Sequence, residues 1–176
     1  WVLKNKEKYN IKAVSMAQGS MSRNTKLSDY CVKIPTVTAS IDALSSSGVP
    51  VFLSAGNDRI INRINWPACI PSAIAVSATD QRGEVTLYTN YDPLLTDFFS
   101  QGNITAMLPG GKVVNVAGTS ASVQTAAADW ISLKSAKPAL SYAELYNLII
   151  KTSKLAPGAK IKGARLFDLA GAINGQ

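Results

Sequence analysis

Val49-Pro50-Val51-Phe52-Leu53 is an unbroken apolar run, entered from Gly48 and left through Ser54-Ala55-Gly56-Asn57-Asp58. Nothing polar alternates with the apolar residues, so a strand made from it has no face to offer water and must be covered on both sides. Ahead of it, residues 38–47 place apolar side chains at Ala39, Ile41, Ala43 and Leu44 and stop at Gly48, the pattern of a helix with a glycine terminator. Behind it, Ala73-Ile74-Ala75-Val76-Ser77-Ala78 is a second run of the same kind. Continuous apolar strands alternating with helices give an α/β class with a parallel sheet between helical layers.

Outward from this pair the same alternation continues. A charged amphipathic segment closes at Tyr9-Asn10, and residues 11–16 read as a short strand running into the turn Gln18-Gly19-Ser20. Residues 80–117 are polar turns, including Asp92-Pro93 and Leu108-Pro109-Gly110-Gly111, with β-prone pieces such as Val113-Val114-Asn115-Val116. Helical spacing resumes from Ser120 to about Ser135 through Val123, Ala126, Ala127, Trp130, Ile131 and Leu133. Ser141-Tyr142-Ala143-Glu144 is a capping box, which predicts a helix running to about Thr152. Residues 165–173 form a last apolar segment. Trp66 and Trp130 read as core residues, and Asp58, Asp80 and Lys112 as solvated surface.

At 176 residues, with 47% hydrophobic and 16% charged content, the chain has the size of one globular domain or part of one. No apolar run approaches the roughly 20 residues a membrane span needs. The net charge of +7 is spread over Lys4, Lys6, Lys8 and Lys12 and over Lys151, Lys154, Lys160, Lys162 and Arg165. These cations are not interleaved with stacking aromatics or set in a recognition motif, so no nucleic-acid partner is expected. Trp1-Val2-Leu3 enters a periodic pattern with no N-cap before it, the expectation being a chain that starts in mid-domain.

The chemistry concentrates at Gly118-Thr119-Ser120-Ala121-Ser122, a small-residue turn presenting a serine at the head of an alanine-rich helix. A serine hydroxyl needs a base to take its proton, and the oxyanion it generates needs fixed donors about 3 Å away. With Ser120 as the first residue of a helix, its N–H and the helix dipole serve that oxyanion, and Asn57 can offer a side-chain amide. Each residue alone has a plainer reading: Ser120 as a helix N-cap, Asn57 as a turn residue. The sequence contains no histidine, so the usual base for a serine nucleophile cannot come from these residues. Cys31 and Cys69 lie in loop-like sequence, and their spacing alone leaves a disulfide and two free thiols equally open.

Taken in order, these motifs strongly resemble the C-terminal half of a subtilisin-like serine protease of the subtilase family. Ala13-Val14-Ser15-Met16-Ala17-Gln18-Gly19 resembles the strand and loop that wall the S1 pocket. Residues 48–57 resemble the strand ending in the oxyanion asparagine, and Trp66-Pro67-Ala68 with Ile74-Ala75-Val76 the next strand. Leu108-Pro109-Gly110 resembles a substrate-side loop, Gly118-Thr119-Ser120 the nucleophile motif, and residues 165–172 the closing helix.

The resemblance implies that residues 1–176 are the C-terminal portion of one catalytic domain with a three-layer, subtilisin-like fold whose N-terminal part is absent. It implies Ser120 as nucleophile, Asn57 as oxyanion donor, and Ala17, Gln18, Gly19, Ala55, Gly56, Gly118 and Thr119 as substrate-binding residues. The catalytic aspartate and histidine precede the serine in this family, and a chain beginning in mid-domain would lack both. A missing N-terminal half, or a second copy, is then the expected partner, and polypeptide the substrate. A Cys31–Cys69 disulfide is implied, and with it a secreted or extracytoplasmic location. Calcium held by the Asp97 carboxylate and the carbonyls of Pro71 and Ala73 is implied as well.

The chain departs from the family at Ala121-Ser122 and Gln124, where Met-Ala and a proline are usual, and at Ala17-Gln18-Gly19, where Ser-Leu-Gly is usual. These departures suggest the alternative of a non-catalytic, pseudoprotease-like module. Ser120-Ala121-Ser122 is also similar to the sedolisin motif, but sedolisins carry aspartate where Asn57 stands.

Overall fold

The computed structural model describes residues 1–20, 31, 34–157 and 164–175. Lys160 and Lys162, singled out in the sequence, lie outside the described residues. The elements, in chain order, are α1 (Val2–Asn5), β1 (Val14–Met16), α2 (Pro35–Ser46), β2 (Val51–Ser54), β3 (Ile74–Thr79), β4 (Phe98–Gln101), β5 (Asn103–Met107), β6 (Val113–Ala117), α3 (Thr119–Ala136), α4 (Tyr142–Thr152), β7 (Lys154–Leu155), β8 (Arg165–Leu166) and α5 (Leu169–Asn174).

β1, β2, β3, β4 and β8 lie side by side in parallel, and β7 closes one edge antiparallel to β8. The register pairs Val14 with Val51, Phe52 with Ile74, and Val76 with Phe98. Alternate residues of β2 explain the two apolar layers. Val51 and Leu53 face a cluster with Ile41 of α2, Ile64, Ile70 and the cysteines, while Phe52 faces Ile74, Val76, Phe98 and the inner faces of α3, α4 and α5. The result is an α/β, three-layer arrangement with a mostly parallel sheet in the middle. Phe52 and Trp130 meet edge to face at 5.9 Å between centroids, a packing geometry aromatic quadrupoles favour.

Several element boundaries differ from the sequence reading, each for a local reason. α2 starts at Pro35 rather than 38, because proline in the first turn has its φ already set for a helix and lacks only an N–H that would be unpaired there. Only 14–16 of the expected strand 11–16 pair with a neighbour. Residues 165–172 are not one closing helix. Arg165 and Leu166 first extend the sheet, and Asp168 then caps α5 by accepting from the Gly171 N–H at 2.9 Å. β4 lies inside the stretch read as loop and short strands; two phenylalanines followed by Ser100-Gln101 are too short an apolar run to announce a buried parallel strand. The capping box is present as expected: Ser141 Oγ accepts from the Glu144 N–H, and the Glu144 carboxylate accepts from the Ser141 N–H.

Cys31 and Cys69 are joined by a disulfide with their Cα atoms 5.5 Å apart, both inside the cluster under α2. Cys31 is helical rather than in a loop.

Candidate active site

In an open parallel sheet, ligands bind beyond the carboxyl ends of the strands. β2 ends at Ser54, and the chain turns through Ala55, Gly56 and Asn57 at that edge. The turn needs Gly56 at φ 110°, and a Cβ there would sit 2.4 Å from the Asn65 and Asn90 side-chain nitrogens.

Asn57 is tied to the head of α3. Its Oδ1 accepts from the Thr119 N–H at 2.9 Å and from the Thr119 hydroxyl at 3.0 Å, while Thr119 Oγ1 accepts from the Gly56 N–H at 3.1 Å. With its oxygen engaged, the side chain has only its Nδ2 hydrogens left to offer a ligand.

Gly118 is the N-cap of α3 at φ 148°, so α3 begins at Thr119 and Ser120 is its second residue rather than its first. Only glycine adopts that backbone readily, and the bare face it leaves is open. A Cβ on Gly118 would lie 3.4 Å from Asn57 Nδ2 and 3.8 Å from the Ser120 nitrogen, so both donors border the same small space. Among the described residues the Ser120 N–H has no acceptor, whereas the Thr119, Ala121 and Ser122 N–H groups bond to Asn57 or to the Gly118 carbonyl. Gly118 and Thr119 are buried and Ser120 is exposed; its Oγ donates to the Ala17 carbonyl at 3.4 Å.

The structure therefore brings Ala17, Gly56, Asn57, Gly118, Thr119 and Ser120 into direct contact. Ala55 supports them through its carbonyl, which accepts from the Asn65 N–H at 2.8 Å. Gln18 and Gly19 continue the Ala17 segment and are exposed. Beneath the turn lies a polar web that nothing in the residue pattern announces. Asn90, fully buried, accepts from the Asp58 and Ile60 N–H groups and donates to the Ala55 carbonyl, Asp58 and Asn65. Tyr88 donates to Asn103, and its oxygen accepts from the Gly118 N–H at 3.1 Å.

Asp97, Pro71 and Ala73 belong elsewhere. They precede β4 and β3 and so sit at the amino ends of strands whose carboxyl ends approach the serine. With Ser45, Tyr146 and Asn147 they line a hollow of about 300 Å³. Burial pushes the Asp97 pKa up, opposed by hydrogen bonds its carboxylate accepts from the Tyr146 hydroxyl and the Ala75 N–H. Burial, then the Asp97 charge, raises Tyr146 in turn. A carboxylate with a serine and an amide beside it makes an oxygen-bearing lining, the ligand type calcium takes. No group of three or more His, Cys, Asp or Glu side chains able to hold a metal occurs among the described residues.

The model of the subtilase family matches residues 3–171. The chain therefore belongs to the subtilase family. Subtilisin BL of Lederbergia lenta is 26% identical over 134 residues, which cover 76% of this chain and 49% of that protein. Alkaline serine protease ver112 of Corniculantispora psalliotae is 35% identical over 77 residues, or 44% of this chain and 20% of its own. Among solved structures, the S218A mutant of the protease domain of PatA superposes with a TM-score of 0.79 at 16% identity, covering 98% of this chain and 63% of that one. A cold adapted subtilisin-like serine proteinase gives 0.72 at 18% identity, covering 88% and 54%. At such identities these structures speak to the fold alone. The chain spans about half the length of Subtilisin BL.

Proposed function

We propose that this chain is the nucleophile-bearing part of a serine endopeptidase. Ser120 Oγ attacks the carbonyl carbon of a peptide bond while a base takes its proton, and the oxyanion is held by Asn57 Nδ2 and the Ser120 N–H. Collapse breaks the C–N bond, the base returns the proton to the leaving amine, and water hydrolyses the acyl-enzyme on Ser120. Since the 176 residues include no histidine, we assign the base and its aspartate to a segment outside residues 1–176, and residues 1–176 to the C-terminal portion of the catalytic domain. By itself the chain is then expected to be inactive. Ala17, Gln18 and Gly19 form one wall of the substrate groove, Ala55 and Gly56 the other, and Gly118 and Thr119 its end. The observation that supports this reading most is the bare face of Gly118, bordered by two donors within 4 Å of one point.

The chemistry proposed also accounts for the surroundings. Among the described residues β1 ends the sheet, so its edge is a place for the base-bearing segment or, without it, a second copy. Calcium would be held by Asp97 with the Pro71 and Ala73 carbonyls, away from the reacting atoms, where it would act by stabilising the folded state. The disulfide supports an extracytoplasmic location. No helix among the described residues is long and apolar enough to cross a membrane.

The second reading, a non-catalytic subtilase-like module, rests on the residues after Ser120 and on the altered wall Ala17-Gln18-Gly19. Ala121 and Ser122 are buried, with Ser122 Oγ donating to the Thr119 carbonyl, so they alter the packing of α3 and not the open space beside Gly118. That favours the enzyme. A phosphonofluoridate separates the two: the intact parent gains one adduct on Ser120, Ser120→Ala gains none, and the 176-residue chain alone gains none. A folded parent that stays unlabelled leaves only the second reading.

A further inference from the structure

We infer that Asn65 floors the groove and restricts the residue preceding the cleaved bond to a small one such as glycine, alanine or serine, an inference that rests on the groove assignment above. The two walls are the segments 17–19 and 55–56, and each presents a glycine to the gap. A Cβ on Gly19 would lie 3.0 Å from Asn65 Cβ and 3.5 Å from its Nδ2, and a Cβ on Gly56 would lie 2.4 Å from that same nitrogen. The walls are therefore separated by the thickness of one carboxamide. Asn65 is 9% exposed, its N–H donates to the Ala55 carbonyl on one wall, and the next residue, Trp66, exchanges two hydrogen bonds with Ser20 beside the other wall. The side chain cannot swing aside cheaply, because Oδ1 accepts from Asn90 Nδ2 at 3.2 Å and Asn90 is itself fixed by the Asp58 and Ile60 N–H groups. Breaking a buried amide out of such a web leaves unpaired groups behind.

A branched or aromatic side chain entering between these walls meets the carboxamide, whereas a methyl does not reach it. A neighbouring hollow of about 560 Å³ is lined by residues 16–20, Val37, Trp66 and Pro67 but by none of residues 55–57, so it offers no room in the gap itself. Each methylene a pocket excludes is worth roughly tenfold or more in selectivity.

The test uses blocked tetrapeptide amides that differ only in the residue before the scissile bond, alanine or phenylalanine. On the intact parent, kcat/KM should favour alanine by about tenfold or more, and Asn65→Gly should level or reverse that ratio. The ratio is internal, so a variant that merely folds less well lowers both rates and leaves it unmoved; Asn65→Ala serves as the milder second variant. A parent that accepts phenylalanine as readily as alanine, or a ratio unchanged in both variants, overturns the inference. A parent that cleaves neither peptide overturns the protease reading instead, and a binding experiment then decides this one. The corresponding product acids are titrated into the 176-residue chain while the Gly19 and Gly56 amide resonances are followed. The alanine acid should shift both, and the phenylalanine acid should do so only in Asn65→Gly. Equal shifts from the two acids, or none from either, contradict the inference.

Discussion

The apolar layer beneath α3 and the asparagine-centred web beneath the 55–60 turn are both buried at their centres but are built on opposite rules. Phe52, Ile74, Val76, Phe98 and Trp130 fill volume by close packing, which demands complementary shape but no particular donor or acceptor. Asn90, Asn65, Thr119 and Gly56 fix direction, because each hydrogen bond holds a particular backbone atom in a particular place. The first region holds the chain folded. The second sets where Asn57 and Ser120 stand relative to each other.

The comparison can be broken by finding stability and catalysis coupled where it holds them apart. The largest effect is expected from Phe98→Ala, which opens a cavity at the centre of the sheet and should lower unfolding stability by about 3–5 kcal/mol in urea titrations. At temperatures where the variant stays folded, the kcat of the parent should hardly change. Asn57→Leu should do the reverse. Its kcat falls by about 10²–10³, or roughly 2.7–4 kcal/mol, a figure that comes from subtilisin and not from this geometry. Its stability should fall by only about 1 kcal/mol in the same titrations, less than for Phe98→Ala, because the Thr119 N–H and hydroxyl lose their acceptor. Asn90→Ala lies between the two, since it orphans the Asp58 and Ile60 N–H groups and should cost about 2 kcal/mol of stability while lowering kcat more than it changes KM.

The smallest effect sharpens the apolar side. Asp129 sits half-buried on α3, and burial raises its pKa from 3.8 to about 6. Between these values the folded state keeps a proton that the unfolded chain has released, so stability should decline as pH rises from about 4 to about 6 and level off above. After solvent screening the change is on the order of 1 kcal/mol. Asp129→Asn should flatten the profile measured by denaturation across that window; a slope that survives the substitution assigns the effect to another group.

The apolar region was largely legible in the sequence, because strands covered on both faces have to be apolar throughout. β2 and β3 announce themselves this way, and the 3.6-residue spacing of α3 points Val123, Ala126 and Trp130 inward. β4 escaped because its last two residues are polar yet lie inside the sheet. At the site, Gly118-Thr119-Ser120 was legible because an open glycine before a helix is a chemical requirement. The web was not. Asn65 and Asn90 are polar residues in loop-like sequence, and nothing in their spacing distinguishes a buried, hydrogen-bonded asparagine from a solvated one. Thr119 stood in the motif, but the two bonds by which its hydroxyl joins Gly56 to Asn57 exist only across a separation of 62 and 63 residues.

The most direct test is a crystal structure of the intact parent treated with a peptide boronic acid. The account predicts a covalent bond from Ser120 Oγ to boron and one boronate oxygen about 3 Å from both Asn57 Nδ2 and the Ser120 nitrogen. A boronate oxygen turned away from Asn57, or boron bound to another residue, would contradict it.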